Sequence, residues 1–116
     1  MKTFYSDKLP FTRITVNHHK IDVVIDTGFD GALLLPLNLV QKLQLRKIGM
    51  VEYVVADGSI SKGELFITQI EWFNGVREVT VMAAETEFSL IGMDILFHAK
   101  IMLWPVKDVL TIEDGS

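Results

Sequence analysis

The stretch Val23-Val24-Ile25-Asp26-Thr27-Gly28 carries a carboxylate out of an apolar run and straight into a glycine turn. Side chains alternate along a strand with period two, so Ile21, Val23 and Ile25 share one face while Asp22, Val24 and Asp26 share the other. Asp26 thus closes a largely apolar strand. Desolvation penalises the charged form of an acid, and a carboxylate placed there needs hydrogen bonds or a nearby proton in compensation. Two readings are open from these residues alone. Asp26 is either a strand-to-turn cap that accepts hydrogen bonds from the amides of the turn, or an acid kept for chemistry.

Working outward, Thr12 to Val16 and Ile21 to Asp26 are rich in β-branched residues and flank the polar Asn17-His18-His19-Lys20, the pattern of a β-hairpin. On the other side, the short apolar Leu33-Leu34-Leu35 leads to Pro36, placed where a helix can start without losing a backbone donor. Leu39, Val40 and Leu43 then fall on one helical face. Val51 to Ala56 and Glu64 to Glu71 read as strands around the turn formers of residues 57–63. A further turn at Phe73-Asn74-Gly75 precedes strands over Val76 to Ala83, Lys100 to Trp104 and Val109 to Ile112. The tail Glu113-Asp114-Gly115-Ser116 is expected to be disordered. The expected class is all-β, a closed barrel-like arrangement with one or two short helices.

A second segment bears on Asp26. Ser89-Leu90-Ile91-Gly92-Met93-Asp94-Ile95-Leu96 sets two apolar residues before a glycine, far downstream in a β-rich chain. Taken with Ile25-Asp26-Thr27-Gly28, Leu33-Leu34-Leu35-Pro36 and the turn at Asp57-Gly58-Ser59, it resembles the retropepsin-like aspartic proteases in order and over nearly the whole chain. The resemblance implies the retropepsin-type acid protease fold. It implies that Asp26 is the catalytic aspartate, that Thr27 hydroxyls interlock across a dimer axis, and that Gly28 lets backbone amides approach the carboxylates. Ile91 and Gly92 would support that loop from behind. By position, Val55 through Gly63 resembles the flap that closes over substrate, so Asp57, Gly58 and Ser59, with Phe29 and Asp30, are the expected substrate-binding residues. Two departures mark the chain: bulky Phe29 follows Gly28 where viral enzymes carry a small residue, and Met93 stands where they place an arginine, leaving Asp30 without its usual ionic partner. Both are closer to cellular and prokaryotic single-domain relatives.

One Asp-Thr-Gly per chain makes a homodimer part of the expectation. Two adjacent carboxylates do not both ionise easily, so a pair shares one proton and supplies both a base and an acid, which a lone Asp26 does not. The expected activity is peptide-bond hydrolysis on a peptide or protein substrate, with no cofactor and no metal. The alternative is a binding or scaffolding dimer with little turnover. An actin-like ATPase is disfavoured by length and by the lack of a second phosphate loop.

The totals agree with one domain over residues 1–116. The chain has 116 residues, 49% hydrophobic and 22% charged, enough for one core. With no cysteine there are no disulfides and no thiolate catalysis. A formal charge of −4 with no basic cluster gives no footprint for nucleic acid. No apolar run approaches the ~20 residues that span a bilayer, so no membrane partner and a cytoplasmic location are expected. Adjacent His18 and His19 suit a solvated turn, Asp94 suits the cap of a short helix, and Trp72, Phe73 and Trp104 suit a core or an interface.

Overall fold

A computed structural model describes all of residues 1–116. Ten strands, two short α-helices and one 3₁₀ turn follow in the order β1 (Thr3–Ser6), β2 (Leu9–Val16), β3 (His19–Ile25), β4 (Leu33–Pro36), α1 (Leu37–Leu43), β5 (Arg46–Val54), β6 (Ile60–Trp72), β7 (Gly75–Ala84), β8 (Leu90–Ile91), α2 (Met93–Leu96), β9 (Ala99–Trp104), the 3₁₀ turn Pro105–Lys107, and β10 (Val109–Asp114). The fold is mostly β, as the sequence indicates.

Eight strands form one sheet in the order β1-β2-β3-β8-β4-β7-β6-β5, and β2 also pairs with β6. That extra pairing joins six strands in a ring. Its closure rests on Thr15 against Glu71 and Val16 against Ile70, so the ring is closed but irregular and is not a uniform barrel. Period-two burial shows which face is inside: Thr12, Ile14 and Val16 of β2, Val79, Val81 and Ala83 of β7, and Leu110 and Ile112 of β10 are buried. These residues, except Thr12, belong to one apolar cluster that also takes in Ile25, Leu33, Leu35 and Ile91. No helix is long and apolar enough to cross a membrane.

Local chemistry explains several boundaries. Pro36 takes the N-cap of α1, where its missing N–H costs nothing, and Val40 and Leu43 turn inward. The β2–β3 hairpin turns on Asn17 (φ 46°) and His18 (φ 69°), the left-handed pair that matches the twist of the strands.

Three expectations need correction. Strand β1 was not anticipated, because the turn that returns it to β2 is Asp7-Lys8, with Lys8 at φ 67°, a conformation its side chain rarely takes. Strand β5 begins five residues before Val51, and β6 runs from Ile60 to Trp72, since the pairing continues past the apolar runs, across a register shift between Lys47 and Gly49, to Arg46 against Ile67. The C-terminal tail is ordered as far as the strand goes: Asp114 pairs with Ala99, and Gly115 N–H donates to His98 O at 2.8 Å.

Leu33 is set between Val81 and Ile91 on neighbouring strands and is 1% exposed. Leu33→Ala is expected to lower unfolding stability by about 2–5 kcal/mol in denaturant titration. Val106→Ser, at an 85% exposed position, should stay within about 0.5 kcal/mol of the parent.

Candidate active site

Asp26 follows β3 directly, and three elements fix its place. Val23, Val24 and Ile25 are buried. Strand β3 runs between β2, its antiparallel neighbour, and β8, which pairs with it in parallel through Val24 with Leu90 and Ile25 with Ile91. The Asp26 N–H then donates to Ile91 O at 3.0 Å, carrying the β3–β8 ladder one residue further. The chain turns at once, with Phe29 N–H bonded to Asp26 O at 3.2 Å.

Inside the turn, Gly28 N–H donates to Asp26 Oδ1 at 2.9 Å. A Cβ on Gly28 would stand 3.3 Å from that oxygen, so the bare glycine allows this approach without displacing the carboxylate. Asp26 is half-buried, and Thr27 and Gly28 are exposed. The Asp-Thr-Gly face therefore opens outward.

Behind the turn, residues 29–32 dock on the start of α2. Met93 N–H donates to Phe29 O at 2.7 Å, Asp94 N–H to Gly31 O at 3.2 Å, and Gly92 N–H to Ala32 O at 2.9 Å. The first amides of a helix lack partners within it, and here loop carbonyls take the place of a side-chain cap. That corrects the expectation for Asp94. Its carboxylate does not cap α2; it lies 3.7 Å from Arg77 Nη2, which also donates to Asp94 O at 2.9 Å.

Asp30 is exposed and shares a hollow of about 350 Å³ with Arg77, Met93, Asp94, Phe97 and His98. Arg77 was not singled out from the sequence, since it lies in a polar stretch of β7 with no motif around it. Phe29 is half-buried, its ring lying over Gly31 and Gly92. Asp57, Gly58 and Ser59 form the exposed tip of the β5–β6 hairpin, with Gly58 at φ 85°. Asp57 Oδ1 accepts from the Ser59 hydroxyl at 2.6 Å and from its amide at 2.8 Å. These bonds, the hydroxyl first, hold the Asp57 carboxyl below the usual carboxylate range. Exposed Val54 and Ile60 pair directly behind the tip. Nearer its base the hairpin helps line a groove of about 460 Å³ with Leu37, Ala83, Ala84 and Glu85.

No protein-family model matches the chain, and no curated protein sequence matches it. Solved structures do. EIAV protease complexed with the inhibitor HBY-793 superposes with a TM-score of 0.72 at 23% identity, covering 88% of this chain and all of that one. A retropepsin-like aspartic protease from Rickettsia conorii gives 0.71 at 22% identity, over 97% of this chain and 86% of the other. Simian Foamy Virus (mac) protease gives 0.57 at 13% identity, over 74% and 90%. The chain has the fold of retropepsin-like aspartic proteases.

A Cβ on Gly92 would meet Gly31 O, and would lie 2.6 Å from Phe29 O and 2.5 Å from the Phe29 ring. Gly92→Ala is therefore expected to push the 29–32 segment off α2, lowering stability by roughly 1–3 kcal/mol and broadening the Gly28 amide resonance. At the hairpin tip, a depressed folded pKa means that the contribution of Asp57 is complete above the unfolded value of about 3.9 and is lost only as pH falls through the lower folded one. A carbon-detected titration should find the Asp57 carboxyl ionising at lower pH than an unhindered aspartate, and Ser59→Ala should move it back towards the ordinary value.

Proposed function

We propose that this chain is one subunit of a homodimeric aspartic endopeptidase whose two Asp26 carboxylates share one site. One observation carries the reading: Asp26, held by the Gly28 amide, sits at the outward face of an Asp-Thr-Gly turn within the fold of the retropepsin-like proteases. A second subunit opposed to that face brings in the second carboxylate, and Thr27, exposed beside it, meets its counterpart across the axis.

The chemistry follows from the shared proton. Ionised Asp26 takes a proton from a water as its oxygen attacks the scissile carbonyl carbon, and protonated Asp26 of the second subunit donates to the carbonyl oxygen. The tetrahedral diol then collapses: one of its hydroxyls returns a proton to the second Asp26, the C–N bond breaks, and the leaving nitrogen receives the proton held by the first Asp26. Asp30 and the hairpin tip at Asp57, Gly58 and Ser59 flank the peptide, the tip acting as a flap that bends at Gly58.

Pairing of two copies has a second support. Strand β9 pairs only with β10, so its other edge is open, and Met102, Leu103 and Trp104 on it are 42–50% exposed. An open edge with apolar side chains is a surface that another chain covers.

Purified protein incubated with a diverse peptide mixture from acidic to neutral pH should yield internal cleavages detectable by mass spectrometry. Asp26→Asn should reduce them on the order of 10²–10⁴-fold. Cleavage that survives the substitution would remove Asp26 from the chemistry. Absence of cleavage from folded, concentrated protein would favour a binding or scaffolding dimer instead.

A further inference from the structure

Phe29 is out of scale with its neighbours. It separates Gly28 from Asp30-Gly31, and the chain makes room for its ring with two glycines from different segments. An ideal Cβ on Gly31 would have the Phe29 ring as its three nearest neighbours, with Cζ at 2.6 Å and Cε1 at 2.9 Å. An ideal Cβ on Gly92 would fall 2.5 Å from ring atom Cδ2 while also meeting the carbonyl oxygens of Gly31 and Phe29, so Gly92 serves the backbone docking as well as the ring, and Gly31 is the glycine that the ring alone explains. The backbone of Gly31 is not in the left-handed region, so conformational freedom does not explain the glycine there; the ring does. Real Cβ atoms essentially never stand this close to another atom, so the two glycines form a slot and the aromatic ring occupies it.

The backbone of the same residue joins both sides of the site. Phe29 N–H bonds to Asp26 O, closing the catalytic turn, and Phe29 O accepts Met93 N–H from α2. Its side chain therefore anchors the residue through which the turn is fastened to the helix. We propose that Phe29 is a positioning residue: its ring, seated on Gly31 and Gly92, holds the Asp26 turn on α2 and so sets the Asp26 carboxylate against the Gly28 amide, rather than binding substrate. The catalytic consequence rests on the function proposed above; the seating of the ring and its hold on Asp26 do not. Displacing a reacting group by about 1 Å costs on the order of 10²-fold in rate, so loss of the ring should lower kcat on that scale and leave KM within about threefold.

The test has two arms, one of which needs no activity. In a double-mutant cycle, Gly31→Ala should lower the denaturant midpoint when Phe29 is present and should be close to neutral, or favourable, beside Phe29→Ala. Equal effects in both backgrounds would show that the ring does not occupy the slot. In the second arm, the Gly28 amide proton shift is followed from neutral to acidic pH, because its bond to Asp26 Oδ1 reports the carboxylate position. The parent and the ring-retaining Phe29→Tyr should show a large pH-dependent shift of Gly28, and Phe29→Ala should lose it; Phe29→Leu stands in if the alanine variant does not fold. A Gly28 shift unchanged in the folded truncated variants would overturn the proposal. Where cleavage is measurable, a rise in KM at constant kcat for Phe29→Ala would also overturn it, by assigning the ring to substrate. If the parent cleaves nothing, the proposed function fails while the cycle and the titration still decide the role of Phe29.

Discussion

The arrangement of the site depends on one docking contact, in which the carbonyls of Phe29, Gly31 and Ala32 receive the amides of Met93, Asp94 and Gly92. It solves two problems together. The start of α2 has amides without intrahelical partners, and the turn after Asp26 has carbonyls with no strand to pair with. Each supplies what the other lacks. The contact is possible only because Gly92 has no side chain, since a Cβ would collide with the carbonyls being brought in. A four-residue helix has little stability of its own, so α2 is in turn held by the segment it supports.

The strand ring exists, from the point of view of the site, to bring these two distant segments together. Strand β8 contributes two residues to the sheet, yet it lies between β3 and β4, the strands that flank the Asp26 turn. Leu33 and Ile91 face each other across the β4–β8 pair with almost no exposure. Burial of each such side chain is worth roughly 1.5–3 kcal/mol, and it is this apolar packing that holds the glycine of one segment under the turn of the other. The exposed Asp-Thr-Gly face is the remainder of the arrangement: rigid from behind, open in front.

Much of this was legible in the residues. The apolar run into Asp26-Thr27-Gly28 marked one half of the docking contact, because an acid after a buried strand needs a reason, whereas the other half, Ile91 and Gly92 behind that turn, was implied by the resemblance to the retropepsin-like proteases. The hairpin over residues 57–59 was legible from its turn formers. Strand β1 was hidden by Asp7-Lys8, a turn whose second residue is a poor left-handed former, and the full length of β5 by Arg46, Lys47 and Gly49, which break the apolar pattern at a register shift beyond which the pairing with β6 continues. Arg77 was invisible because its partner Asp94 is 17 residues away and is recognised only once β7 and α2 are side by side. The cap of α2 was assigned to the wrong group for a related reason: sequence offers the nearby Asp94 side chain, while the donors are met by carbonyls some sixty residues upstream.

Under the proposed function catalysis belongs to two Asp26 residues that act together, and subunit mixing tests that most directly. Parent protein and Asp26→Asn would be mixed at a series of ratios, allowed to exchange subunits, and assayed for peptide cleavage at constant total concentration. If both carboxylates are needed in each site, the cleavage rate falls as the square of the parent fraction. A rate that falls in simple proportion to that fraction, as chains acting independently would give, or more slowly than in proportion, as a shared site needing only one Asp26 would give, would contradict the pairing of the two carboxylates.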